Sequence, residues 1–386
     1  MGRSERFAII GAGIGGLTLA IAMQRKGFKV QVFEEAPDIK PLGAGLALAA
    51  NAVKGFVDIG ISERVLRAGS ILKKVSIKDR AGKILAETDS EKISEKYRTV
   101  NNFTIHRADL HDVLLENLSK DTLQLGRACV DILQSPVGVR IIFQDGTTHE
   151  ADYAIACDGV HSLIRKKFLP ESRPRYAGYT CWRAVIEDTP SAVDIQETSE
   201  TWGCGSRFGI APLNQGRLYW FACLNGREND PAMKAYGTKE LLTHFGRFHA
   251  PIPEILKYTE DRQLIWNDII DIKPLKKFAF GRIVLIGDAA HAPTPNMGQG
   301  ACLAIEDAVI LANTIESSQS VEAAFRLFEQ KRIKRTTTIV NGSWRLGRIA
   351  QWENPILIQL RNTLLRLTPP SFAENQIKFI MNVSLQ

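Results

Sequence analysis

The stretch from Arg6 to Ala36, RFAIIGAGIGGLTLAIAMQRKGFKVQVFEEA, restricts the possible folds more than any other part of the chain. Phe7 to Ile10 is apolar with no helical period, which predicts a strand buried on both faces. Gly11, Gly13 and Gly16 follow in G-x-G-x-x-G spacing. The first glycine permits a tight turn out of the strand. The second leaves room for a pyrophosphate against the backbone, and the third lets the next helix close on the sheet. That helix is expected from Ile14 to Lys26, with Leu17, Ala20, Ile21 and Met23 toward the sheet. Its free N–H groups and positive dipole end face an anion. Gly27 ends it, Lys29 to Phe33 reads as the second strand, and Glu34 stands at that strand's end. An acid roughly 20 residues past the glycines accepts the hydroxyls of an adenosine ribose. Its charge repels a 2′-phosphate, so the ligand implied is a dinucleotide with a free ribose, FAD or NAD. Strand, turn, helix, strand and acid in this order supply the context that an isolated glycine motif lacks.

The length of 386 residues suggests two domains, or one with a large insertion. No apolar run approaches the ~20 residues that span a bilayer, and no signal peptide is expected before the first strand. Six scattered cysteines with no C-x-x-C pair point to reduced thiols and a cytoplasmic location. The net charge of +7 suits an anionic dinucleotide or substrate and is too diffuse for nucleic acid. The basic run from Arg326 to Arg335 reads as a solvated helix face in preference to a membrane contact.

Along the chain, Pro41 to Asn51 reads as a glycine-containing loop leading into a helix that ends near Ile59. Ile71 to Lys83 reads as a hairpin, and the charged segment to Arg98 as irregular. Phe103 to Leu118 is expected as strand then helix, with Arg107 at the junction. Tyr153 to Cys157 and Ile283 to Ile286 are further buried strands, and a long helix is expected from Gly300. From Tyr179 to Ile272 strand-like segments and aromatics dominate, so this part reads as a sheet-based domain inserted into the first. The division implied is 1–72, 99–178 and 273–345 for the nucleotide domain. Residues 73–98 and 179–272 form the inserted β-sheet domain, and 346–386 a C-terminal helical segment.

Three motifs coincide at related spacing: Gly11-Ala-Gly13-Ile-Gly-Gly16, Asp158-Gly159-Val-His-Ser-Leu-Ile-Arg165, and Gly287-Asp288-Ala-Ala-His-Ala-Pro293. Together they resemble the single-component flavoprotein monooxygenases of the aromatic hydroxylase class. That class includes p-hydroxybenzoate, salicylate and urate hydroxylases, zeaxanthin epoxidase and the tetracycline-inactivating monooxygenases. The resemblance implies an α/β fold: a Rossmann-like FAD-binding domain, an inserted β-sheet substrate domain and a C-terminal helix. It implies FAD as cofactor, with the ADP half at Gly11, Gly13, Gly16, Glu34 and Glu35; many relatives carry a basic residue at position 35. Gly43 to Leu46, with Gly45 and Leu46, resembles the segment along the flavin, and Arg107 the arginine near the pyrophosphate. Asp158 and Asp288 resemble the acids that meet FAD. Pro293, Gly298 and Gly300 fall in the loop at the flavin, where a helix N-terminus would face the edge that gains negative charge on reduction.

By the same resemblance, NADPH or NADH serves as a transient cosubstrate, with Arg165 as a candidate for its phosphates. The flavin takes O2 to a C4a-hydroperoxide that hydroxylates an aromatic or planar polycyclic molecule. Epoxidation, tetracycline-type oxygenation, and reduction or dehydrogenation without oxygen insertion are the alternatives. Arg207 and Tyr219, on strands expected to face the cavity, are candidate substrate contacts. No catalytic side chain is assigned, because the flavin carries the chemistry. His291 is read as structural, with no acid partner visible beside it. No metal-ligand spacing, H-E-x-x-H or G-x-S-x-G is present, nor the W-x-W-x-I-P of flavin halogenases or a second G-x-G-x-x-G.

Overall fold

The computed structural model describes residues 5–39 and 44–386. A six-stranded sheet organises the nucleotide lobe, in the order Ala279–Phe280, Ile283–Leu285, Tyr153–Ala156, Arg6–Ile10, Lys29–Phe33, Leu123–Gln124. All neighbours run parallel except the first pair. Its middle strands are buried apart from Arg6 at the start of one, as near-continuous apolar runs demand in a sheet covered on both faces. The helix Ile14–Arg25 packs against the helix Gly300–Ser317. Most residues of both are buried, so both are apolar nearly all round. Gly27, at φ +81°, takes the chain out of the first helix, which stops where the sequence places it.

The second large sheet has seven strands, in the order Ile265–Ile272, Pro174–Ile186, Leu218–Asn225, Ser206–Pro212, Glu197–Trp202, Lys74–Asp79, Ile84–Asp89. The last two are the hairpin read from the sequence, delivered from a distant part of the chain and joined parallel to Glu197–Trp202. Side-chain alternation gives this sheet two different faces. Trp182, Trp220, Phe208 and Leu224 pack with Leu241, Phe245, Ile255 and Leu256 of the covering helices in one apolar core. Tyr179, Cys181, Arg183, Tyr219, Phe221, Cys223 and Arg207 occupy the intervening positions and therefore the other face.

Three local expectations are corrected. Gly45–Leu48, read as loop, is a strand paired antiparallel with Phe103–His106. Four residues are too few to show a period, and glycine lowers strand propensity. Ser90–Tyr97, read as irregular, is a helix: Asp89 caps it by accepting from Lys92 N at 2.9 Å, and Ile93 is buried. The basic run 326–335 lies within the helix Val321–Ala350 and is not a solvated face throughout, since Arg332 is 1% exposed.

Candidate active site

The first glycine motif builds one end of the site. Gly11 sits at φ +103°, and a Cβ there would fall 2.4 Å from the Cys157 carbonyl oxygen. A Cβ on Gly16 would fall 2.0 Å from the Gly11 oxygen. Both glycines are therefore required by the turn and by close packing. Gly13 differs: nothing lies within 4 Å of its Cβ position. It lines a cavity of about 300 Å³ together with Ala12, Glu34, Ala36, Arg107, His111 and other residues. The Glu34 carboxylate accepts from Ala12 N at 2.7 Å and Ala36 N at 3.1 Å, which fixes it at the cavity wall. Arg107 opens the helix Arg107–Glu116, and its N–H donates to the Ala44 oxygen at 2.9 Å. Glu35 is exposed and does not line this cavity, so the structure does not place it with Glu34.

The other two motifs meet at the N-terminal ends of two helices. Cβ positions on Gly15 and Gly287 would each fall on the Ala304 methyl, at 3.1 and 3.2 Å. That contact draws the starts of helices Ile14–Arg25 and Gly300–Ser317 together with the Gly287-Asp288 turn. Neither helix has a side-chain cap, so its first N–H groups are open to a ligand. From Gly300, Pro293 lies at 3.8 Å and Asp288 Oδ1 at 4.0 Å of the Cβ position, so these three converge. Gly298 is exposed at φ +61°, with nothing within 4 Å. Asp288 keeps an accessible carboxylate, and the protein around it raises its pKa. Burial likewise raises Asp158, whose Oδ2 accepts from Ile164 N at 3.2 Å while Oδ1 has no partner. An orphaned acceptor of this kind is costly unless a ligand donor meets it.

Arg165 is corrected. It is 1% exposed, and its guanidinium donates to the Ala289 and Val160 oxygens. It thus ties the Asp158 loop to the helix Asp288–His291 and is not presented to a passing nucleotide. The reading of His291 needs a different correction. It has an acid partner, Asp307, at 2.5 Å, contributed by the helix Gly300–Ser317. Asp307 also accepts from Gly287 N at 2.8 Å and from Arg332 at 2.5 Å. Burial opposes ionisation of Asp307, but His291, Arg332 and the Gly287 N–H outweigh it and hold its carboxyl down at about 2. His291 is 1% exposed, with its Nε2 held in this pair.

Beside it, Glu306 binds Arg332, Arg335 and Asn51, and Asn51 donates to Gln299 at 2.9 Å. This buried network fixes the Gly287-Asp288 turn and the end of the 293–300 loop. Sequence reasoning missed all of it; the Glu306-Asp307 pair nearly two turns into an apolar helix was the available signal.

The mixed face of the seven-stranded sheet closes the site. Tyr219 lies against Gly45, whose Cβ position is 2.5 Å from the ring's Cγ. Tyr179 donates to Asn296 Oδ1 at 2.9 Å, reaching the 293–300 loop from the same face. Arg207 is 2% exposed and bonded to Gln351 at 2.9 Å and Glu200 at 3.0 Å, with its guanidinium 5.1 Å from the Tyr179 ring. Arg207 and Tyr219 thus share one face, with Arg183 between the strands' partners. Leu46 is half-buried in the strand Gly45–Leu48, and Gly43 lies outside the described residues.

Residues at the first cavity fit the phosphate and ribose end of a dinucleotide. The uncapped helix ends, Asp158 and Asp288 fit its polar flavin half. The family pattern described as "FAD binding domain" matches residues 6–341. The chain is 38% identical over 359 residues to aurachin C monooxygenase/isomerase of Stigmatella aurantiaca, covering 93% of each chain. It is 34% identical over 364 residues to 2-heptyl-3-hydroxy-4(1H)-quinolone synthase of Pseudomonas aeruginosa, covering 94% of each. Klebsiella pneumoniae HpxO, solved with FAD and uric acid, superposes with a TM-score of 0.91 at 26% identity, over 99% of this chain and 98% of that one. No helix among the described residues is long and apolar enough to cross a membrane. The chain belongs to the FAD binding domain family of flavoprotein monooxygenases, and it is an oxidoreductase.

Proposed function

We propose that this enzyme uses NADH or NADPH and O2 to hydroxylate an electron-rich, planar nitrogen-containing bicycle of the alkyl-quinolone type. FAD, when bound, supplies the redox and oxygen chemistry. Gly11, Gly13, Gly16, Glu34 and Arg107 hold its ADP half. Asp158, Asp288, Pro293, Gly298 and Gly300, with Gly45 and Leu46, hold the flavin half. In this reading 1–72, 99–178 and 273–345 form the nucleotide lobe, 73–98 and 179–272 the substrate lobe, and 346–386 a helical buttress. Six free thiols suit a reducing compartment such as the cytoplasm.

The observation that carries the proposal is the mixed face of the seven-stranded sheet, held against Gly45 and Asn296 by Tyr219 and Tyr179. It offers aromatic surface from Phe221 and Tyr219 and a positive group from half-buried Arg183, with Arg207 buried and paired to Glu200 and Gln351. Such a lining excludes water and orients a flat substrate that has one polar edge. The likeness to the quinolone synthase, at 34% identity against 29% for a urate hydroxylase, favours an alkylated quinolone over urate.

The test is consumption of NADH and NADPH by the flavin-loaded protein, with and without 2-alkyl-4-quinolones, aromatic acids, polycyclic phenols and tetracyclines. Stimulated consumption with a product heavier by one oxygen supports the proposal. Stimulated consumption with no gain of oxygen would instead assign a reductase or dehydrogenase.

A further inference from the structure

Cys181 and Cys223 are direct cross-strand partners on the mixed face of the seven-stranded sheet, and each is 2% exposed. Their register follows from the backbone. Gly226 N donates to the Gly178 oxygen at 3.3 Å, while Asn225 N turns the other way to the Gly205 oxygen at 3.0 Å. Bonded and non-bonded pairs alternate along an antiparallel ladder. Gly178 and Gly226 form a bonded pair, so Cys181 and Cys223 form a non-bonded one. Such pairs bring the Cα atoms to about 4.5 Å and the side chains close together. That spacing lies within the ~4.4–6.8 Å that a disulfide spans.

The surroundings split the two thiols into different roles. Cys181 Sγ donates to the Trp182 oxygen at 3.4 Å. The adjacent Cys223 thiol comes first among the influences on Cys181; burial opposes it, and Arg183 and Arg207 assist, so the thiol is held below its ordinary value. The same neighbour contact, with burial, pushes Cys223 well up. One sulfur is thus disposed to attack as thiolate and the other to stay protonated until needed. Elsewhere burial pushes Cys129 and Cys302 up to about 12.

We propose that Cys181 and Cys223 are a peroxide-reactive dithiol built into the substrate face, which reduces hydrogen peroxide as the two sulfurs close to a disulfide. The Cys181 thiolate attacks one peroxide oxygen, the O–O bond breaks, and the departing hydroxide takes a proton to leave as water. This leaves a sulfenic acid. Cys223 then attacks that sulfur, the S–O bond breaks, a second water leaves, and the S–S bond forms. The sum is two thiols and one peroxide giving one disulfide and two waters.

The chemistry of the pair stands on its own geometry, and only the source of the oxidant rests on the reading in the preceding subsection. An oxygen-using flavin reached by water releases hydrogen peroxide, and this face is the one that meets Gly45 and Asn296.

The test treats the flavin-loaded, reduced protein with a few equivalents of hydrogen peroxide, alkylates free thiols, and maps peptides without reduction. The expected result is a Cys181–Cys223 cross-linked peptide with a mass loss of about 2 Da, the two thiol hydrogens. Dithiothreitol should reverse it. Oxidation of Cys204 with Cys181 and Cys223 both still free would overturn the proposal, as would sulfinate at Cys181 with no cross-link. In Cys223→Ser the cross-link should vanish and a dimedone adduct appear at Cys181. If that variant does not fold, the wild-type map decides alone. A parallel sample is supplied with NADPH or NADH and O2 but no substrate. A cross-link there ties the oxidant to turnover. A cross-link only with added peroxide upholds the dithiol and counts against oxygen chemistry at the flavin.

Discussion

At the scale of single residues, two positions carry sharp expectations. Gly45 has no room for a side chain, because its Cβ position lies 2.5–2.7 Å from three atoms of Tyr219. Gly45→Ala should destabilise the protein by about 1–3 kcal/mol, as overpacking does, and loosen flavin retention. Tyr219→Ala in the same chain should restore part of the loss, read as a coupling energy from urea denaturation of the two single variants and the double variant. Asp307 is the second. Its folded pKa of about 2 lies below its ordinary value of 3.8. A depressed carboxyl contributes stability that is complete above the unfolded value and is lost as pH falls through the folded one. Wild-type melting temperature should therefore drop between about pH 4 and pH 2. Asp307→Asn should start lower at neutral pH and show a shallower drop, with the negative charge that faces His291 and Arg332 removed and Arg332 left with Glu306 alone as ionic partner. An unchanged acid limb would refute this account of the cluster. Glu34, at the end of the second strand, was legible from its spacing to the glycines, whereas Arg107 and Asp288 entered only through the family resemblance. Asp307 was not legible, because its partners lie on two other segments, 287–291 and the helix that carries Arg332, and only folding brings them together.

At the scale of elements, the turn from Arg6–Ile10 into Ile14–Arg25 was legible to within a residue, since Gly11 and Gly16 each answer a steric demand. Gly16→Ala should abolish flavin binding, because a Cβ 2.0 Å from the Gly11 oxygen forces helix and strand apart. The measurement is visible absorbance of the purified protein, with circular dichroism to establish that helices remain. A yellow, fully loaded variant would contradict it. The short strand Gly45–Leu48 was hidden because its partner, Phe103–His106, lies far along the chain and its pattern is too brief. Arg165 misled for a related reason. Its place in a basic helix suggests a surface charge, whereas two backbone carbonyls draw its guanidinium inward. Within the seven-stranded sheet, the Phe221 ring covers Gly209, whose Cβ position is 2.0 Å from it. Gly209→Ala should push that ring toward the substrate. It should raise KM while leaving flavin content unchanged, which steady-state kinetics on the loaded protein will check.

At the scale of the molecule, the two sheets are joined by specific contacts rather than by a linker: Tyr219 on Gly45, Tyr179 on Asn296, and Arg217 on Asp109. One unfolding transition is expected by calorimetry, not two. Free FAD at about 100 times its dissociation constant should stabilise the whole by about 2.7 kcal/mol. If FAD raised only one of two resolved transitions, the lobes would be independent. The membership of Lys74–Asp79 and Ile84–Asp89 in the distant sheet was legible as an excursion, though not the strand they would join. A parallel pairing across such a separation leaves no mark in local sequence.

The two-faced sheet has a consequence for how enzymes of this kind diversify. Along Leu218–Asn225, even-numbered positions such as Trp220, Ala222 and Leu224 fill the core, and odd-numbered ones such as Tyr219, Phe221 and Cys223 lie on the opposite, mixed face. Point replacements at the odd positions can redirect what is oxidised while the framework stays intact. A single inserted or deleted codon exchanges the two sets at once. Lineages that acquire new substrates should therefore differ in this segment by replacements alone, with length changes pushed into the loops.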